Sequence, residues 1–237
     1  MFGAKYYAHR GLHSENIIEN TMESFELAKE KGFGIELDVH LTSDNKIVVF
    51  HDYTLERLVG NDKYISTIPS NELKNYKLKK TGQGIVLLDE VLDVVKGEVP
   101  IVVEIKSLFR EEEMANRVVE ASKSYKGNIA FKSFNHDLMD KLKIYAPDVL
   151  CGKVFSKLIS DTPMAQQMSL ITDKSYFSYD KMDFISVSYN ELMSKYINVA
   201  KRKGVKVMSW TLKDKTLANL ALKKADAVMF EGFLPKK

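Results

Sequence analysis

The chain holds one thiol, Cys151, in 237 residues, so no intramolecular disulfide can form. It lies in the apolar segment VLCGKVF (149–155) and reads as a small buried hydrophobe rather than a nucleophile. So thiol-poor a chain fits a reducing compartment. The opening MFGAKYYAHRG enters a strand pattern at once and lacks the long apolar stretch of a signal peptide. No apolar run approaches the roughly 18 residues that mark a membrane span, so the expected location is cytoplasmic, with no transmembrane segment. No GxGxxG follows the first strand pattern, which removes the main sign of a dinucleotide site. Net charge is only +3 and both signs are spread along the chain, without the concentrated basic stripe of a nucleic-acid surface. Internal repeats and low-complexity tracts are absent.

What remains is ordinary globular composition, 45% hydrophobic and 28% charged, with a length suited to one domain over residues 1–237 and a core large enough to need no staple. Short runs rich in Val and Ile predict strands at 5–9, 34–39, 46–51, 100–106, 128–134, 149–155, 183–188, 205–210 and 226–230. Helical patterns lie between them at 21–32, 87–97, 110–125, 135–147, 190–204 and 213–225, with a less regular one at 162–176. The first has Thr21 as N-cap and stops at Gly32. Setting 46–51 aside as a hairpin-like extension joined through Asp44-Asn45, eight strand–helix units remain. That predicts a parallel sheet of the size of a (β/α)8 TIM barrel, with an open doubly wound sheet as the alternative. Residues 52–86 break the rhythm with a polar, Gly-containing stretch around Pro69. They read as an inserted lobe over one end of the barrel, or as a plain surface excursion.

In such a barrel, chemistry belongs at the C-terminal strand ends. His9 and Arg10 close the first strand and His51 closes the extension. Glu36 and Asp38 share parity at the end of the second strand, as do Glu104 and Lys106 in the next. Three converging carboxylates repel unless one is protonated or a cation lies between them. Hard oxygen ligands suit Mg2+ or Ca2+, so Glu36, Asp38 and Glu104 are candidate metal ligands; pairing with Lys106 and Arg10 is the alternative. His9 and His51, each followed by a charged residue, are candidates for acid–base work. His40 shares parity with Asp38 and reads as structural; His13 and His136 read as surface. Arg, Lys and a metal around two histidines point to a phosphate ester.

The series HRG (9–11), ENT (19–21), ELD (36–38), HD (51–52), EIK (104–106) and a late WT (210–211), in that order and spacing, resembles the glycerophosphodiester phosphodiesterase family from His9 to about Phe233. The resemblance implies a (β/α)8 barrel with a small lobe after His51. It implies metal-dependent hydrolysis of a small-molecule glycerophosphodiester to sn-glycerol 3-phosphate and an alcohol, through a cyclic glycerophosphate. Carried over by position, His9 and His51 are acid and base, and Glu36, Asp38 and Glu104 hold Mg2+ or Ca2+. Arg10 and Lys106 hold phosphate, Glu19 and Asn20 support the first loop, and Trp210 lines the pocket. Departures are Ile18 where the family has Pro, the segment IVLLDEVL (85–92), and MFEGF (229–233), which sets Glu231 near the mouth with an expected effect on alcohol selectivity. Rival readings are a phosphatidylinositol phospholipase C-like enzyme, a lysophospholipase D and a non-catalytic phosphate-binding barrel. Charged outer helix faces permit a monomer or a dimer.

Overall fold

A computed structural model of the chain describes residues 2–107, 110–156 and 182–236. The expected helix at 162–176 lies outside the described residues. The barrel strands are β1 (Tyr6–Ala8), β2 (Gly34–Leu41), β4 (Ile101–Ile105), β5 (Ile129–Ser133), β6 (Leu150–Phe155), β7 (Phe184–Ser188), β8 (Lys206–Leu212) and β9 (Ala227–Phe230). All eight pair in parallel, and β1 joins both β9 and β2, which closes the sheet into a (β/α)8 barrel. The short β3 (Ile47–Val49) pairs antiparallel with β2 outside the ring, the extension expected from the sequence.

Alternation along each strand sorts side chains into two cores. Outward-facing Ile35, Leu37, Val39, Val103, Ile105 and Phe131 pack against α1 (Met22–Glu30), α3 (Leu88–Val95), α4 (Glu111–Ser124) and α5 (His136–Tyr145). Each such burial contributes about 1.5–3 kcal/mol. Cys151 belongs to this layer, and burial pushes its thiol up to about 12, as befits a packing residue. On the far side, α6 (Lys195–Arg202) and α7 (Lys215–Ala221) cover β7 to β9. The helix expected over 190–204 is split: a 3-10 turn at Tyr189–Glu191 precedes α6, with Ser194 in an extended conformation at the N-cap.

The barrel interior is filled at its lower end by Tyr7, Val102, Ala130, Phe184, Met208 and Met229, with Phe2 packed edge-on to Tyr7 and Phe184. Gly34 is required beside the Tyr7 ring, since a Cβ there would lie 2.6 Å from it. The upper end is polar. Register sets Asp38 beside Glu104 and Glu104 beside Lys132 on adjacent strands, and all three face inward.

After β3 the chain forms α2 (Glu56–Val59) and two 3-10 turns, Ile65–Thr67 and Ser70–Asn75. Phe50, Leu55, Ile65, Ile68, Leu73 and Leu78 make a separate apolar cluster there, joined by Ile18 of the first loop. No helix among the described residues is long and apolar enough to cross a membrane.

Candidate active site

The first β–α loop is built by backbone geometry. Arg10 and Asn20 take left-handed conformations (φ 56° and 55°), and Gly11 follows at φ 80°. A Cβ on Gly11 would meet Ser24 Oγ at 2.2 Å, so a tight turn and a close approach both demand glycine. Ser24 is itself fixed, because it forms a reciprocal capping box with Thr21 at the start of α1. The loop therefore leaves the barrel and returns with Arg10, Glu19 and Asn20 against the strand ends.

Glu36, Asp38 and Glu104 each bring a carboxylate oxygen within 4.8 Å of the others, all buried. Such a set of hard oxygen donors fits a divalent cation such as Mg2+ or Ca2+. The alternative reading is also present, since lysines thread the same cluster. Lys106 contacts Asp38 at 3.2 Å and pairs with Glu104; Lys132 contacts Glu36 at 3.0 Å and also pairs with Glu104. Asn20 donates to Asp38 at 3.0 Å and accepts from its backbone amide. Burial alone would raise the Asp38 carboxyl, yet Lys106, His51, Arg10 and the Asn20 amide hold it well below the usual range. Glu104 also opposes burial and falls to about 2 beside Lys106 and Lys132. Burial likewise disfavours the charged Lys106 and Lys132, but their carboxylate partners raise both.

Each of the two strand-end histidines has a carboxylate on Nδ1. His9 Nδ1 lies 2.6 Å from Glu231 Oε2, and His51 Nδ1 lies 2.7 Å from Asp52 Oδ1. Such pairing fixes the tautomer, with the proton on Nδ1. Glu231 is held well below the usual carboxylate range by His13, His9 and Lys213. Asp52 is brought to about 2 against burial by its hydrogen bonds to His51 and Arg57. Glu231, expected near the mouth, bonds His9. Arg10 donates from its backbone to Glu36 at 3.0 Å and from Nη1 to Glu19 at 2.8 Å.

Two residues unmarked in the sequence reading complete the arrangement. Arg57, from α2, donates to Asp52 at 2.6 Å and to both Glu19 oxygens at 2.7 and 3.1 Å. It links the His51 side to the Arg10 side. Lys132 is 1% exposed in the middle of β5; a lysine inside an apolar strand, at the parity of Ala130, was the available signal. Arg57 had none, since it lies in the irregular insertion.

Trp210 stands on β8 with its ring edge-on to Phe134 at 6.0 Å, and its Nε1 is buried with no hydrogen-bond partner among the described residues. It is the one expected site residue whose side chain has no polar partner among the described residues. His40 is structural as expected: buried, bonded through Nε2 to His51 O at 3.2 Å, and lowered to about 4 chiefly by burial. The surface readings of His13 and His136 are corrected. His13 faces Glu231 at 3.7 Å, and His136 is tucked against Val154 O at 2.9 Å and the Phe155 ring because α5 starts over the end of β6.

A model of the glycerophosphoryl diester phosphodiesterase family matches residues 9–232. The curated glycerophosphodiester phosphodiesterase of Caldanaerobacter subterraneus subsp. tengcongensis is 30% identical over 217 residues, 86% of this chain and 84% of that protein. The crystal structure of the Thermotoga maritima glycerophosphodiester phosphodiesterase superposes with a TM-score of 0.76 at 29% identity, over 97% of this chain and 95% of that one. An Oleispira antarctica phosphodiesterase, in complex with the product sn-glycerol-3-phosphate, superposes with a TM-score of 0.78 at 26% identity, over 95% and 92% of the two chains.

Proposed function

The chain belongs to the glycerophosphoryl diester phosphodiesterase family, and on that premise we propose that it hydrolyses a glycerophosphodiester to sn-glycerol 3-phosphate and an alcohol. The observation that carries the reading is the pair of histidines held through Nδ1 by Glu231 and Asp52, at the same strand ends as a buried carboxylate cluster. Two imidazoles, each anchored through Nδ1, are the equipment for taking one proton and giving another.

In this reading the glycerol hydroxyl next to the phosphate attacks phosphorus. One imidazole Nε2 takes its proton, and the other protonates the departing alkoxide. The resulting cyclic glycerophosphate is opened by water with the two roles exchanged. Arg10 and Lys106 bind phosphate oxygens, and Asn20 and Glu19 orient Asp38 and Arg10. Trp210 lines the pocket for the glycerol or the alcohol. Glu36, Asp38 and Glu104 would hold Mg2+ or Ca2+, which would supply Lewis-acid polarisation of the phosphate.

Product identity tests the reaction. Phosphorus NMR of a digest of glycerophosphocholine should show glycerol 3-phosphate. His9→Ala and His51→Ala should each lower the rate by about 100-fold or more. A phosphorylated head group as the product, instead of glycerol 3-phosphate, would overturn it.

A further inference from the structure

Beside the proposed active site lies a cavity of about 310 Å³, between the first β–α loop and the inserted segment. It meets the site at three points. His13, on its wall, faces Glu231, which bonds His9. Glu19 bonds Arg10, and Arg57 bonds Asp52, which bonds His51. Its wall thus shares Glu19 with the proposed site and carries residues that contact the carboxylates bonded to both histidines, and its volume is that of about ten liquid water molecules. That is room for an alcohol of about ten non-hydrogen atoms.

Its charge is uneven. Arg57 is answered by Glu19 and Asp52. Lys79 and Lys80, also on its wall, have no such partner among the described residues. Lys79 Nζ donates to Glu56 O at 3.3 Å and Lys80 Nζ to Glu15 O, so backbone carbonyls hold both ammonium groups in place without neutralising them. Neither has a carboxylate in ion-pair range among the described residues. With Arg57, Lys79 and Lys80 against Glu15 and Glu19, the wall keeps a positive excess, which favours an anion.

We propose that this cavity receives the leaving alcohol, and that it favours an alcohol carrying its own anionic group, a phosphate or carboxylate, bound by Lys79 and Lys80. The inference rests on the proposed hydrolysis and gives the insertion a task in that reaction.

Three substrates test it: glycerophosphoglycerol phosphate, glycerophosphoglycerol and glycerophosphocholine, with anionic, neutral and cationic leaving alcohols. The first two differ only by the added phosphate. The wild type should prefer the phosphorylated compound over its neutral parent by about tenfold in kcat/KM, mainly through KM, and the preference should shrink with added salt. The double variant Lys79→Glu/Lys80→Glu should reverse the order in favour of glycerophosphocholine. Calorimetry of the same compounds on His51→Ala, which does not consume them, reads the preference without turnover and should show the same ranking. Equal affinities and equal kcat/KM for the phosphorylated and neutral compounds, or a preference that survives the charge reversal, would overturn the proposal. Failure of the wild type to cleave any of the three counts against the hydrolase reading instead, and the calorimetric ranking still decides the subsite.

Discussion

Replacing Arg57 by Met should damage turnover far more than stability, although Arg57 belongs to none of the groups proposed to touch phosphate. Its guanidinium spans two carboxylates, with one bond to Asp52 and a bidentate pair to Glu19. Beyond Asp52 lies His51 Nδ1, and beyond Glu19 lies Arg10 Nη1. The side chain is 46% exposed, so solvent screens these pairs, and their loss should cost only about 1 kcal/mol of folding stability. Catalysis responds to geometry rather than to that sum. Freed of Arg57, Asp52 can rotate His51 and Glu19 can pull Arg10, and a misplacement of about 1 Å costs about 100-fold. We expect kcat/KM to fall by 10- to 100-fold, about 1.4–2.8 kcal/mol of transition-state stabilisation. Arg57→Lys should recover part of it, because one ammonium can hold one carboxylate but cannot bridge both. Steady-state kinetics paired with urea unfolding makes the comparison. An Arg57→Met protein that folds and works within twofold of the wild type would refute the reasoning.

Glu231→Gln keeps the shape but removes the charge on His9 Nδ1, and its kcat should drop by about 10- to 100-fold with a changed pH–rate profile; an unchanged profile would remove Glu231 from the site. Lys132→Met strips the cation shared by Glu36 and Glu104, which should cost about 3–5 kcal/mol in chelator. Adding Mg2+ should then raise its melting temperature more than that of the wild type, and equal shifts would contradict the charge account. His136 is brought down from 6.5 to about 4, chiefly by burial. The unfolded chain therefore binds its proton first, so its contribution is intact above pH 6.5 and is lost as pH falls towards 4, by up to about 3 kcal/mol. His136→Gln, which can still donate to Val154 O, should flatten the stability curve over that window in pH-dependent denaturation; a curve parallel to the wild type would count against it.

The barrel was legible because its signal is repetitive. Apolar strands such as IVVEI alternate with amphipathic helices, and parity alone set Glu36, Asp38 and Glu104 on one inward face. What stayed hidden depends on loops and on partners distant in sequence. Glu231 meets His9 only because β9 closes against β1, a contact across 222 residues of chain. Arg57 reaches Asp52 and Glu19 from a four-residue helix in an irregular stretch, where no periodicity announces a direction. His13 and His136 read as surface because a loop or helix start is polar on average, whereas packing over a neighbouring strand end is decided in three dimensions. Lys132 was missed as well, although one charged residue within NIAFKSF was a signal of a buried partner.

The most direct test of the account is formation of sn-glycerol 3-phosphate from a glycerophosphodiester, measured with Mg2+, with Ca2+ and with chelator, in the wild type, His51→Ala and Glu36→Ala. The account predicts release with a divalent cation, none with chelator, and loss in both variants while each remains folded. Undiminished release in chelator, or in folded Glu36→Ala, would contradict a reaction that depends on the buried carboxylate cluster.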